Sequence, residues 1–305
     1  MVLDFLVLPN GVQKRVKAMD PAFFLLITAR LFNLARMKPN AIFFCTFILS
    51  KLAFMKVSII GSGNVATVMG RLIKQKNHEV VQVMSRSNQH ASVLGNELGC
   101  NYCDFSGLAD VSADIFLIAV SDYAIMDCLP QLQLRDKMVL HTAGSVSKDV
   151  LKVKSAHYGV LYPLQSLRKE MIELPEIPFL VDANTAEATQ FVLSFAKDLS
   201  PKVEIACDEE RLKLHVAAVI VSNFTNHLYA IAESYCIEEK VDFDMLKPLI
   251  EETAVRIKNS SPATVQTGPA VRKDIHTLDK HLRLLVNHPK LRTTYLRLTD
   301  SIMNP

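Results

Sequence analysis

The stretch Val57–Gln75, VSIIGSGNVATVMGRLIKQ, constrains the fold more than any other part of the chain. A short β-branched run, Val57 to Ile60, stops at a glycine. After the next glycine, apolar side chains recur at Val65, Val68, Met69, Leu72 and Ile73. The first pattern suits a buried parallel strand and the second an amphipathic helix. Between them, Gly61-Ser62-Gly63-Asn64-Val65-Ala66 matches G-x-G-x-x-G/A. In that pattern the first glycine permits a tight turn and the second lets the backbone approach a pyrophosphate. The third small residue lets helix and strand pack closely. The phosphates then meet a helix amino terminus, whose unpaired N–H groups and dipole favour an anion. Gly70 keeps the same helix face thin one turn later. A glycine turn alone serves packing as readily as binding; its place between strand and helix makes it a dinucleotide cradle.

Strands and helices continue to alternate after it. EVVQVMS (79–85), DIFLIAVS (114–121) and MVLHTAG (138–144) read as strands, and ASVLGNELG as a helix ended by Gly99. HYGVLYPL, IPFLVDA and KVEIAC read as three more short strands, with a helix over 186–199 among them. This predicts a Rossmann-type doubly wound α/β sheet. Beyond about Cys207 the periodicity is helical over 209–239, 243–259 and 270–286. The expected organisation is a dinucleotide-binding α/β domain, residues 55–206, followed by an all-helical domain, residues 207–305.

The first 54 residues stand apart. Their two apolar runs, FFLLITARLFNLAR and AIFFCTFILSKLAF, are interrupted by Arg30 and Lys51. Each falls short of the roughly 20 residues that span a bilayer. The segment reads as an extension upstream of a working start at Met55, with a membrane anchor or signal peptide as the alternative. A net charge of +3 with 34 basic and 31 acidic residues gives no nucleic-acid footprint. Six scattered cysteines, at 45, 100, 103, 128, 207 and 236, form no disulfide framework and fit a reducing cytoplasm. Cys100-x-x-Cys103 lacks a second pair or spaced histidines, and His276 and His281 lie on different helix faces, so no metal is expected.

The end of the second strand selects the nucleotide. An NAD site carries an acidic residue there to hold the ribose hydroxyls. This chain has Ser85-Arg86-Ser87, and an arginine between two hydroxyls suits a 2′-phosphate. NADP is expected over NAD, unless Arg86 is simply a solvated loop residue. Val120 and Ser121, at the carboxyl end of the strongest strand, should lie beside the cofactor, and His141, Gly144 and Ser145 end the next strand in the same crevice. Asp122 is read first as a helix cap. Tyr162, Pro163 and Gln165 are candidate pocket-wall residues; Arg272 is either a carboxylate clamp or an ion-pair partner of Asp274 or of a neighbouring chain.

Four further blocks occur in order: HTAGSV (141–146), GVLYPLQSL (159–167), RLKLHVAAVIVSNFTNHLYAIA (211–232) and QTGPAVRKD (266–274). With the glycine turn, they resemble the Rossmann-like proteins carrying domain of unknown function 2520. That family is similar to pyrroline-5-carboxylate reductases, β-hydroxyacid dehydrogenases and deazaflavin-linked NADP reductases. The resemblance spans Met55 to the carboxyl terminus and implies a two-domain NAD(P)-binding protein, dimeric through its helical part. One departure stands out. β-Hydroxyacid dehydrogenases have a lysine on the first long helix of the second domain and an asparagine one turn on; here Lys213 is followed by Ala217.

His215 is the more promising group on that helix, since imidazole can give a proton to a developing alkoxide or amine. At about 100° per residue, His215, Ser222 and Asn226 share one face, with Asn223 and His227 on an adjacent one. Such a stripe either lines a cleft or forms a satisfied polar seam. The expected activity is an NADP-dependent oxidoreductase acting on a small carbonyl or imine compound. His215 is its proton donor, and Asn223 and Ser145 position the substrate. The alternative is a non-catalytic NADP sensor or dimeric interaction protein.

Overall fold

The computed structural model describes residues 54–107, 109–128, 134 and 136–305, together with the backbone of β1 (Phe5–Val7) and β2 (Gln13–Arg15), which pair antiparallel. The reading of the amino-terminal extension lies almost wholly outside the described residues. Among them, no helix is long and apolar enough to cross a membrane. Contacts gather the chain into two units, residues 1–211 and 212–305.

The first unit is built on an eight-stranded sheet in the order β10-β9-β8-β7-β6-β3-β4-β5. Its strands are β3 (Lys56–Ile60), β4 (Glu79–Ser85), β5 (Asn101–Asp104), β6 (Ile115–Ile118), β7 (Met138–His141), β8 (His157–Pro163), β9 (Phe179–Ala183) and β10 (Val203–Ile205). β3 to β8 run parallel, whereas β9 and β10 run the opposite way. β5 is absent from the sequence-based reading: NYCD lacks an apolar run, and its first two residues are exposed.

Three helices pack on the strands: α1 (Asn64–Gln75), α2 (Asn88–Leu98) and α4 (Ala186–Leu199), while a 3-10 turn over Asp122–Ala124 leads into the short α3 (Ile125–Cys128). Side chains alternate across the sheet, as strand geometry requires. Ile59, Leu117 and Leu140 join α1 and α4 in one buried cluster. Ile60, Phe116, Ile118 and Val139 join Ile125 and Leu151 in the other. Both faces are thus covered, which is why the central strands read as continuous apolar runs. Fully burying each such side chain contributes about 1.5–3 kcal/mol.

The order of β3 is what places a site. The chain winds from β3 outward to β4 and β5, then returns to β6 on its other side. The connections leave in opposite directions at the β3/β6 boundary, the point where doubly wound sheets open a ligand crevice. Ile60, Met84, Ile118, His141 and Val160 lie level across the sheet at that end.

The second unit is helical. It continues from α5 (Asp208–Ala218) through a π segment, Val219–Phe224, into α6 (Thr225–Glu238), followed by α7 (Lys247–Arg256), α8 (Ile275–Leu284) and α9 (Pro289–Met303). Asp208, Glu209 and Glu210 complement the dipole in the first turn of α5. Asp274 caps α8 by accepting from the Thr277 amide at 3.1 Å. His288 ties the end of α6 to the start of α9, its Nδ1 lying 3.0 Å from Glu238 and its Nε2 2.6 Å from Glu239.

Candidate functional site

The glycine turn is held by both neighbouring strands. The Gly61 amide donates to the Met84 carbonyl at 2.7 Å, and the Ala119 amide donates to the Ile60 carbonyl at 2.7 Å. Gly61 has φ +127°, and a Cβ there would stand 2.2 Å from the Ala119 carbonyl oxygen. Only glycine fits. Gly63 differs: its φ is −87°, and a Cβ would meet nothing within 4 Å. Nothing in the fold itself requires glycine at position 63, and the space above the loop there is open. Gly63 is also the N-cap of α1, with no side-chain cap and no acidic residue in the first turn. The α1 amino terminus thus offers N–H groups to an external anion. Asn64 and Val65 open the helix, and Ala66 is fully buried beneath it. Gly70 brings α1 against α2, since a Cβ there would lie 2.6 Å from Leu98 Cδ1.

Ser62 Oγ and Ser85 Oγ are 2.8 Å apart, so the loop and the end of β4 are joined by a hydroxyl pair. Ser87 caps α2, accepting from the His90 amide at 3.4 Å. Arg86, between them, is exposed and makes no ion pair among the described residues. The two serines expected to flank a phosphate therefore have structural duties as well.

Across the crevice, Val120 is half-buried and Ser121 exposed. Ser121, not Asp122, occupies the N-cap of the following turn, and it makes no capping bond. The expected capping role of Asp122 is corrected: its carboxylate accepts a hydrogen bond from Ser145 Oγ. Behind Ser145 lies a charged cluster that sequence reasoning missed. Arg211 is 1% exposed and donates through Nη2 to the Val146 carbonyl and to Asp208 Oδ1, the latter at 2.8 Å. Its Nε and Nη1 are buried without a hydrogen-bond partner among the described residues. Burial works to raise the Asp208 carboxyl, but hydrogen bonds from Ser147 and Arg211, the Arg211 charge and the Lys148 amide bring it below its ordinary value. Lys148 pairs with Asp182 at 2.7 Å, anchoring the same loop to β9.

His141 is fully buried at the end of β7, and its Nδ1 accepts from the Ala143 amide at 3.1 Å. That bond assigns its proton to Nε2. Burial, reinforced by the Arg211 cation, pushes its pKa down to about 4 against weaker opposition from the Ser147 backbone, Asp208 and Asp122. The imidazole is neutral at physiological pH. Tyr162 is likewise held protonated, by burial and then by the Asp122 charge. The Asp-x-x-Arg spacing of 208 and 211 at a helix start was a visible signal for the cluster, but burial of the guanidinium was not.

In the helical unit, His215 is half-buried, while Asn223, Asn226 and His227 are exposed. The expected stripe of His215, Ser222 and Asn226 is corrected. It assumed an unbroken α-helix, and the π segment at Val219–Phe224 intervenes. Arg272 makes no ion pair with Asp274, whose carboxylate is engaged with Thr277. Among the described residues there is no cluster of three or more potential metal ligands.

Residues 56–144 match the family model described as NADP oxidoreductase coenzyme F420-dependent, and residues 177–302 match Domain of unknown function DUF2520. A Bacteroides fragilis crystal structure described as a "putative NADP oxidoreductase" is 34% identical, with a TM-score of 0.77, over 83% of this chain and 99% of that one. The chain belongs to this family. The DUF2520 chain also shares its fold with a Thermotoga maritima protein, at 20% identity and TM-score 0.62 over 81% of this chain and 96% of that one. It shares it further with a Streptococcus pyogenes 1-pyrroline-5-carboxylate reductase, at 13% identity and TM-score 0.55 over 82% and 99%. No curated protein matches.

Proposed function

We propose that the protein is an NADP-dependent oxidoreductase that reduces a small carbonyl or imine compound. The observation that carries this reading is the open approach above Gly63 at an uncapped helix amino terminus, a cradle shaped for a pyrophosphate. Gly61, Ser62, Gly63, Asn64, Val65 and Ala66 would hold the phosphates. Arg86 would read the 2′-phosphate, helped by Ser85 and Ser87, because it is an exposed cation at the end of β4 with no carboxylate paired to it among the described residues. Val120 and Ser121 would flank the nicotinamide side of the crevice.

When bound, the cofactor supplies a hydride to the substrate carbon. The residues supply the proton and the orientation. His215 gives a proton to the oxygen or nitrogen that receives the displaced electron pair, and Asn223 and Ser145 orient the substrate. The hydrogen bond from Ser145 to Asp122 fixes the serine rotamer and leaves the oxygen lone pairs to accept from a ligand.

The test is a fluorescence titration with NADPH and NADH, followed by NADPH oxidation with a panel of aldehydes, ketones and cyclic imines. Arg86→Ala should weaken NADPH binding about tenfold or more, with NADH affinity within about twofold, from the loss of one charge-assisted contact. Equal losses for both nucleotides would reject the NADP assignment.

We further propose that a second copy covers the helical unit. Its buried apolar side chains are few (Cys236, Ala270, Leu278 and Leu285), whereas Ile237, Met245, Leu249 and Leu284 are more than half exposed. So much apolar surface left exposed on one unit marks an association face. Analytical ultracentrifugation of wild type and Ile237→Glu checks this, with a dimer expected for the first and dissociation for the second.

A further inference from the structure

The π segment changes which side chains share a face of the long helix. An α-helix advances about 100° per residue, so positions seven and eleven apart return to within about 20° of the starting face. The six residues Val219–Phe224 lie in i→i+5 geometry, which takes one more residue per turn than the α-form. The register slips progressively through the segment and is displaced by about one position, about 100°, toward its end and beyond. Counting from His215, the aligned positions become eight and twelve residues on. Those are Asn223 and His227.

The displacement turns Ser222 and Asn226 off that face and joins two polar groups that a regular helix would keep apart from His215. Asn223 and His227 stand one turn apart, with Cβ atoms about 6 Å from each other. Both are exposed, and among the described residues neither side chain makes a hydrogen bond or ion pair. Their flanks are apolar: Ile220 is 53% exposed, Val221 71% and Phe224 58%. A few convergent polar groups within apolar surroundings is the usual make-up of a small-molecule contact surface. π-bulges give up regular helix geometry and recur at functional sites.

We infer that His227 is a substrate-contacting residue, paired with Asn223 around one acceptor oxygen, carboxylate or carbonyl, of the compound that His215 protonates. The amide N–H of Asn223 and an imidazole N–H of His227 both donate to that oxygen. This assignment rests on the proposed reductase activity and extends it to a residue and a substrate class.

The experiment measures NADPH oxidation by the full chain with matched probes: 2-oxopentanoate against pentan-2-one, and a cyclic imine with and without a carboxylate. Asn223→Ala and His227→Ala should each lower kcat/KM about tenfold or more, chiefly through KM, with unchanged melting temperature and NADPH affinity. His227→Gln, which keeps a donor, should recover part of the loss. Ser222→Ala and Asn226→Ala should stay within about twofold of wild type. Losses confined to the carboxylate-bearing probes identify the oxygen as a carboxylate; losses with every probe identify a carbonyl or imine contact. Sensitivity at Ser222 and Asn226 with silence at Asn223 and His227 overturns the π register. Turnover by wild type with all four variants silent overturns the contact but leaves the reductase reading standing. A wild type that oxidises NADPH with no probe rejects both.

Discussion

Gly61 and Gly63 stand two residues apart in one loop, yet the same added methyl group should harm different properties. In Gly61→Ala, the methyl carbon would lie 2.2 Å from the Ala119 oxygen and 2.8 Å from its carbonyl carbon, at a φ of +127°. Ala119 cannot step aside freely, because its amide is bonded to the Ile60 carbonyl inside the sheet. Backbone strain of about 1–3 kcal/mol adds to an overpacking cost of about 1–3 kcal/mol, for a total of roughly 2–6 kcal/mol. That is a large share of the ~5–15 kcal/mol that separates folded from unfolded chains. For a unit of this size the melting temperature should fall by about 5–20 °C. In Gly63→Ala, φ is ordinary and no atom lies within 4 Å of the new methyl. Only the weaker N-cap preference of alanine counts, about 1 kcal/mol or less. The methyl instead occupies the approach of the pyrophosphate, so NADPH affinity should drop about 100-fold, equivalent to roughly 2.7 kcal/mol. Differential scanning fluorimetry and nucleotide titration on both variants check the split. A Gly61→Ala protein as stable as wild type, or a Gly63→Ala protein that binds NADPH normally, would refute the division of labour.

Two further expectations concern the cluster behind Ser145. Arg211→Met removes a charged hydrogen bond to Asp208 and another to the Val146 carbonyl, and should cost about 2–3 kcal/mol by urea unfolding. It should also raise the His141 pKa, measured by NMR, because the Arg211 cation is one cause of the depression. The second follows from linkage. His141 titrates near 4 when folded, whereas an imidazole in the unfolded chain keeps its ordinary value near 6.5. Between those values the unfolded chain therefore binds the proton more readily. Stability should be complete above about pH 6.5 and fall by roughly 3 kcal/mol as the pH drops toward 4. His78, lowered in the same direction by burial, adds to the trend. His141→Asn retains an acceptor for the Ala143 amide and should flatten the pH dependence; an unchanged slope would show that other groups govern acid sensitivity.

Much of this architecture was legible because its signals are local. Gly61 opens a G-x-G-x-x-A turn, Val57, Ile59 and Ile60 put apolar side chains on both faces of the sheet, and the helical pattern over 186–199 lies within one window. β5 was hidden because it is an edge strand, paired on one side and half exposed, so its residues obey no strong pattern. The burial of Arg211 was hidden for a different reason. It depends on Val146, 65 residues earlier, which no local window contains. The helical face carrying His215 was misread because the π insertion has no compositional signature, and one extra residue rotates everything after it.

The two ends of the sheet bear on how copies of this protein meet. Its outermost strands are short, four residues in β5 and three in β10, and they carry Asp104 and Glu204. Brief edges bearing acidic groups are poor templates for another strand, since few backbone bonds would form and like charges would face each other. Strand addition across copies is therefore disfavoured at both margins. Growth of the sheet into fibrillar or open-ended arrays is disfavoured where it would start, which favours association through surfaces whose hydrogen bonds are already satisfied within their own helices.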